Sequence, residues 1–441
     1  MKRLILLFLT LFTLSAAAQT IHNDDSCDIA LLPAATLLVP YFEVDVDDPN
    51  GATTLFTITN VSPKDQIAHV TLWTDRAFPV IGFNIYLTGY DVQSINLFDV
   101  ISRGNIAPDG GTGTKVSKRG TYSDPNPALD LGLCDRLPGV IDNAYTTRMQ
   151  EAFMNGVVPP LGNVIAGCDE AGGVHENAVG YVTIDVVRLC STMVGNELDY
   201  WRNEVLWDNV LVGDYQQVNR GSRFAEGGPV VHIRAVPEGG TSEQRRTNPA
   251  QWDAGFPRTF YSRYQSPSTP HLDGRQPLPS VFAARWINGG SGNFETSFKV
   301  WREGKTGVGA TCASHEPEGQ LEAREVVVFD EAENAVADLP QCRCTPIGPT
   351  PYVFPPTSLT SIADADRIPQ PTNGPVAGWA YLNLHTPGQN DYATQAWVIA
   401  SMRAEGQFSV DMDAVALANG CTPPAAKSEV SEDGAGVIGP P

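Results

Sequence analysis

The sequence predicts a mainly β protein of two tandem, related antiparallel β-sandwich domains, with a short helix in an insertion of the first. Three observations predict it. Apolar and polar residues alternate in short runs. Turn residues break those runs every ten or so positions, in a chain holding 41 glycines and 34 prolines. Short motifs from the first half return in the same order in the second.

The first strands read directly from the period of two. Residues 53–60 place Phe56 and Ile58 on one face. After a turn at 61–65, residues 67–74 place Ala68, Val70 and Leu72 together. Phe83, Ile85 and Leu87 alternate next, followed by Ile95 and Leu97. In such strands one side meets a core and the other meets water or a covering loop. The stretch 106–177 breaks the rhythm and reads as a Gly-, Pro- and Asp-rich insertion. It holds one helix, over 142–155. Asp142 caps it, Tyr145, Met149, Ala152 and Phe153 form its apolar stripe, and Gly156 ends it. Strands resume at 180–187, 209–218 and 229–236.

The second half echoes this order. Ile58-Thr59-Asn60 returns as Trp286-Ile287-Asn288, and Leu72-Trp73-Thr74-Asp75 as Val300-Trp301-Arg302-Glu303. Leu97-Phe98-Asp99 returns as Val328-Phe329-Asp330, and Gly180-Tyr181-Val182 as Gly378-Trp379-Ala380. Ala225-Glu226-Gly227 returns as Ala404-Glu405-Gly406. The expected organisation is a first domain over 19–240, a linker over 241–257, a second domain over 258–422, and a disordered tail over 423–441. This is a tandem duplication of long period.

Residues 1–18 carry the three parts of a secretory signal peptide: basic Lys2 and Arg3, an apolar run over 4–14, and small residues from Ser15 to Ala18. The apolar run falls short of the ~20 residues a spanning helix needs. No later stretch is long and apolar enough to be a transmembrane segment. The expected destination is outside the cell or on its surface, with the periplasm as the alternative.

Eight cysteines fit that compartment: Cys27, Cys134, Cys168, Cys190, Cys312, Cys342, Cys344 and Cys421. An even count in an exported chain reads as four disulfides. Cys134 with Cys168 is the preferred pair, since both lie in the insertion. Cys27 is assigned to holding the N-terminus and Cys421 the last strand. The net charge of −21 argues against nucleic acid as a partner.

No catalytic motif is present. There is no G-x-S-x-G elbow and no H-E-x-x-H. Asp185 and Glu226 lie on or beside predicted strands, but their echoes are Asn383 and Glu405, so no acid pair stands out. Calcium is the one cofactor left open. Asp45, Asp47, Asp48 and Asn50 resemble a D-x-D-x-N-G loop, although Pro49 falls on a ligand position and no Glu stands at the twelfth. A solvated Asn-Gly turn between two strands explains the same residues. Trp73 and Trp301 are candidate binding aromatics. Trp73 falls opposite the apolar face of its strand, where a neighbouring loop or the other domain covers a Trp more often than it serves as a platform for a sugar or partner.

The runs TLFTITNVSPKDQIAHVTLWTD, GYVTIDVVRLC and GQFSVDMDAVALANGC resemble a group of secreted β-rich proteins of Gram-negative bacteria to which no activity is assigned. The strand–Asn–turn–strand pattern is also similar to immunoglobulin-like modules of bacterial surface proteins, and a jelly-roll-like arrangement suits it as well. That likeness implies a fold, not a function. The expected role is a non-catalytic structural or interaction protein of the envelope or cell exterior, binding glycan or protein. The alternative is an extracellular hydrolase acting on polysaccharide through carboxylates the sequence does not single out.

Overall fold

The computed structural model describes residues 29–106, 123–134, 141–160, 167–193, 199–235, 275–276, 278–302, 321–322, 325–337, 353–354, 360–361, 376–384, 395–404 and 408–417. The expected signal peptide, linker and tail lie outside them.

The chain is mainly β, in several antiparallel sheets. The first half contributes β1 (Thr36–Val44), β2 (Ala52–Asn60), β3 (Gln66–Thr74), β4 (Pro79–Leu87), β5 (Val92–Asn96), α1 (Leu97–Arg103), α2 (Asn143–Asn155), β6 (Ala178–Val187), β7 (Leu211–Val212), β8 (Asp214–Asn219), β9 (Phe224–Pro229) and β10 (Val231–Ile233). The second half contributes β11 (Val281–Ile287), β12 (Phe294–Arg302), β13 (Leu321–Glu322), β14 (Glu325–Asp330), β15 (Ala335–Ala337), β16 (Val353–Phe354), β17 (Thr360–Ser361), β18 (Ala377–Asn383), β19 (Ala396–Ala404), β20 (Phe408–Asp413) and β21 (Val415–Ala416). Among the described residues no helix is long and apolar enough to cross a membrane.

Two sheets make up the first half, with orders β10-β1-β6-β3-β4 and β5-β2-β8-β9, and β7 pairs with β2. One apolar cluster draws on both: Leu37, Val39, Val70, Leu72, Val182 and Ile184 from the first, Phe56, Ile58, Ile95 and Tyr215 from the second. The second half repeats the plan, with orders β21-β11-β18-β14-β15 and β17-β12-β19-β20. Its cluster joins Phe282, Trp286, Val328 and Leu382 to Phe298, Val300, Val398 and Ala400.

The strand orders superimpose one for one. Strand β11 takes the place of β1, β12 of β2, β14 of β3, β18 of β6 and β19 of β8. Three details repeat with them. Gly180 on β6 faces Phe42, and Gly378 on β18 faces Trp286. Beside each glycine an aromatic pair stacks: Trp73 on Tyr181 with centroids 5.8 Å apart, and Phe329 on Trp379 at 4.1 Å. Thr54 Oγ1 accepts from the amide of Glu43 and donates back to its carbonyl, at 3.1 and 3.2 Å. Thr296 does the same with Ile287, at 2.9 Å for both bonds.

These pairings correct the strand register read from the sequence. The Gly-aromatic echo joins corresponding strands, but Trp301 lies on the counterpart of β2, so the partner of Trp73 is Phe329. Short aromatic motifs recur on any half-buried strand, whereas hydrogen-bonded neighbours define its place. The Phe98-Asp99 strand is also corrected. Residues Leu97–Arg103 are helical because Asn96 caps them, its side chain accepting from Phe98 N, and Gly104 closes them at φ 70°. Asp99 and Arg103 add an (i, i+4) ion pair of 2.8 Å. Helix α2 is capped by Asp142, which accepts from Ala144 N and Tyr145 N, and ends at Gly156 with φ 67°. Met149, Ala152 and Phe153 are its buried apolar positions.

Gly180 and Gly378 are close-approach positions. A Cβ at Gly180 would meet the Trp73 carbonyl and come within 2.6 Å of the Phe42 ring, and one at Gly378 would meet the Phe329 carbonyl. Gly180→Ala is therefore expected to destabilise the protein by about 2 kcal/mol, read as a lowered denaturant midpoint. Gly378→Ala should behave alike, and an unchanged midpoint in both would contradict the packing described.

Candidate functional site

The second half lays one sheet against the first. On β12, Phe298 and Val300 enter the second core, so Ser297, Lys299 and Trp301 point the other way. On β19, Val398 and Ala400 face that core, and Ile399 on the opposite side joins the apolar cluster of the first half.

This contact decides the fate of the two tryptophans. Trp73 and Trp301 are each only 2% exposed. Tyr181 lies between them, stacked on Trp73 and edge-on to Trp301 with centroids 5.8 Å apart. Trp73 Nε1 donates to Thr183 Oγ1 at 2.8 Å. Neither ring is open to a sugar: Trp301 of the second half packs edge-on against Tyr181, which stacks on Trp73.

Asp185 likewise has an internal role. Its Oδ1 accepts from Thr36 Oγ1 and its Oδ2 from Tyr200 OH, and the fully buried Arg275 lies 3.5 Å from the same Oδ1. Burial raises its pKa against the pull of Arg275 and these hydrogen bonds. Opposite Asp185 on β3 stands His69. Its Nδ1 meets Asn84 Oδ1 at 2.9 Å, while Asn84 Nδ2 donates to Ser191 O at 2.7 Å. The next residue back, Cys190, is disulfide-bonded to Cys134. The expected Cys134–Cys168 pair is thus corrected. Although both cysteines lie in one insertion, the fold brings the end of β6 beside the turn at Cys134. Cys168 is also disulfide-bonded. Cys27, Cys312, Cys342, Cys344 and Cys421 lie outside the described residues.

The acidic turn between β1 and β2 is held by its own side chains. Asp45 Oδ1 accepts from Asp47 N and Asp48 N, and Asp48 Oδ1 accepts from Asn50 N. These are local backbone caps. Among the described residues no three His, Cys, Asp or Glu side chains are grouped to hold a metal.

The open site lies elsewhere, in a groove of about 880 Å³ between the halves. One wall comes from Glu43, Thr53 and the β8–β9 turn, with Asn219, Arg223 and Phe224. The other comes from Asn293, Glu295, Ser297, Lys299, Ser401 and Arg403. A bulge in β1 between Val39 and Phe42 re-aims Tyr41 and Glu43 toward it. Lys299 Nζ donates to Gln217 Oε1 at 3.1 Å and sits 3.8 Å from the centre of the Tyr41 ring. Tyr41 OH donates to Glu43 Oε2 at 2.8 Å, and Asn177 Nδ2 to Glu43 Oε1 at 2.7 Å. Ser401 Oγ donates to Glu226 Oε2. Burial pushes Glu226 up against the opposing pull of Lys299 and Ser401, and burial first, then Glu43, pushes the Tyr41 phenol up. At the rim Arg403 donates twice to Glu295 Oε2, at 2.9 and 2.7 Å.

None of the residues lining the groove is a candidate from the sequence; Glu226, which is one, is buried behind Ser401. The lining residues belong to no motif. The faint signal was a pair of similar turns, Asn219-Arg220-Gly221-Ser222-Arg223-Phe224 and Ser291-Gly292-Asn293-Phe294, which line the same groove.

His69 supplies a test of the buried network. Burial pushes its pKa down to about 4 from 6.5, against hydrogen bonds from Asn84 and the Met193 backbone. The unfolded chain then binds more protons between those values. The contribution is complete above pH 6.5 and is lost as pH falls to 4, at about 1.4 kcal/mol per unit and about 3 kcal/mol in all. Asp185 and Glu226 have raised pKa values and act with the opposite sign, so the quantity to read is wild type minus His69→Gln. That difference should narrow toward acid in denaturant midpoints from pH 7.5 to 4.5. Parallel curves would refute it.

Compared with known proteins, the chain matches no family model, no curated sequence and no solved structure.

Proposed function

We propose that this is an exported, non-catalytic binding protein of two tandem, related β-sandwich domains of immunoglobulin-like type, which takes an extended polar ligand, above all a glycan, in the groove between them. The signal-like N-terminus and the disulfides support export. The repeated strand order and the paired Thr54 and Thr296 bonds support the duplication. The observation that carries the binding reading is the groove itself. Its walls offer carboxylate, amide, hydroxyl and guanidinium groups from both halves, and Phe224 adds an aromatic surface. Such mixed polar walls with one ring are the chemistry that sugar hydroxyls and ring faces require.

The hydrolytic alternative has one observation in its favour: the charge of Glu43 adds to burial in pushing Glu226 up, as paired carboxylates do. Against it, Glu226 Oε2 is held by Ser401 and Oε1 is buried from solvent. An acid or base must reach the bond it acts on.

A polysaccharide panel with the oxidised full chain separates the two readings. Retention on at least one polymer without new reducing ends is expected. New reducing ends, abolished by Glu226→Gln, would replace binding with hydrolysis. No retention on any polymer would remove the glycan reading.

A further inference from the structure

We infer that the groove is selective for an anionic polysaccharide, with the Arg223 guanidinium taking the ligand's acidic group and Phe224 the face of the adjoining sugar ring. This rests on the groove being the ligand site and adds the class of ligand.

The first observation is charge that has no internal use. The chain has 50 acidic and 29 basic residues. Arg103, Arg188, Arg275, Arg285 and Arg403 each pair with a carboxylate. In the groove, Arg403 is committed to Glu295 and Lys299 to Gln217, the Tyr41 ring and the nearby charge of Glu226. Arg223 stands on the opposite groove wall, exposed, with no carboxylate in ion-pair range among the described residues. Arg220 on the same turn is exposed as well and has no carboxylate in ion-pair range among the described residues. The Arg223 guanidinium offers a fork of donors suited to a planar carboxylate, and it binds sulfate oxygens as well.

The second observation is backbone strain at the same residue. Arg223 has φ 56°, in the left-handed region that favours glycine and asparagine. Across the groove Asn293 has φ 47°, so the facing turn meets the same demand with a residue suited to it. An arginine held in this conformation costs about 1 kcal/mol, and its side chain has no ion-pair partner among the described residues. The third observation is adjacency. Phe224 follows directly and lines the groove half-buried, so a ring and a guanidinium line the same groove, together with Asn219 and Asn293.

The test uses the oxidised full chain and three soluble polymers: polygalacturonate, dextran sulfate and neutral dextran, in affinity electrophoresis and calorimetry at two salt concentrations. Polygalacturonate or dextran sulfate should be bound and dextran not. The stronger of the two tells carboxylate from sulfate. Arg223→Gly should weaken that binding about tenfold or more, from loss of a charge-assisted contact. It should also raise the melting temperature by relieving the strained backbone, so the loss cannot come from unfolding. Arg223→Lys should fall between, and Phe224→Ala should weaken binding while leaving its salt dependence intact. Equal binding of dextran, or Arg223→Gly binding as well as wild type, would overturn the anionic subsite and leave the groove reading standing. Binding of none of the three, together with none on the wider panel, would remove both.

Discussion

The strands β12 and β19 are covered on both sides, and the rest of the molecule depends on that constraint. A strand alternates its side chains, so a sheet with one core normally leaves its other face to solvent. Here Phe298, Val300, Val398 and Ala400 fill the second core, while Trp301, Ile399 and Ser401 are buried against the first half. The contact places Trp301 beside Tyr181, Lys299 over Tyr41 and Ser401 against Glu226. It also makes the groove, because the two halves diverge beyond Ser401 and Gln217 and leave Arg403, Glu295 and the two turns facing across open space.

Polar groups in this contact are costly unless partnered. The two buried acids therefore recruit donors from the other half of the sequence. Arg275 serves Asp185 from 90 residues away, and Ser401 serves Glu226 from 175. Such partners carry orientation as well as energy, since an apolar contact slides more readily than an ion pair held by several hydrogen bonds.

Much of the fold was legible, because period-two alternation and turn residues act locally. Phe56 with Ile58 and Val70 with Leu72 are core residues on the faces their spacing implies. Asp142 and Gly156 bracket α2 because capping is set by a few neighbouring residues. Helix α1 was missed although its signals stand in the sequence. Asn96, Asp99 and Gly104 mark its ends, but Ile95 and Leu97 had suggested a continuing strand. The like strand order of the two halves has echoes in the sequence, but its register does not follow them. Trp73 and Trp301 look equivalent in one dimension, while Phe329 is the true counterpart in the sheet. The groove was hidden for a stronger reason. Its residues come from β1, β2, β8, β9, β12 and β19 and share no spacing, so only the packing of one half on the other brings them together.

The contact between the halves is one-sided. The outward face of β12 and β19 lies on the first half, while the matching face of β2 and β8, with Leu55, Thr57 and Gln216, remains partly or fully exposed. A surface that meets a different surface on a like unit is not self-complementary, and free units joined this way would add head to tail, into a ring where the rotation closes and a filament where it does not. Linkage in one chain would halt that series at two. The two sheets then face different surroundings: β2 and β8 meet solvent at Leu55, Thr57 and Gln216, while β12 and β19 meet the first half at Trp301, Ile399 and Ser401 and the groove at Glu295 and Arg403.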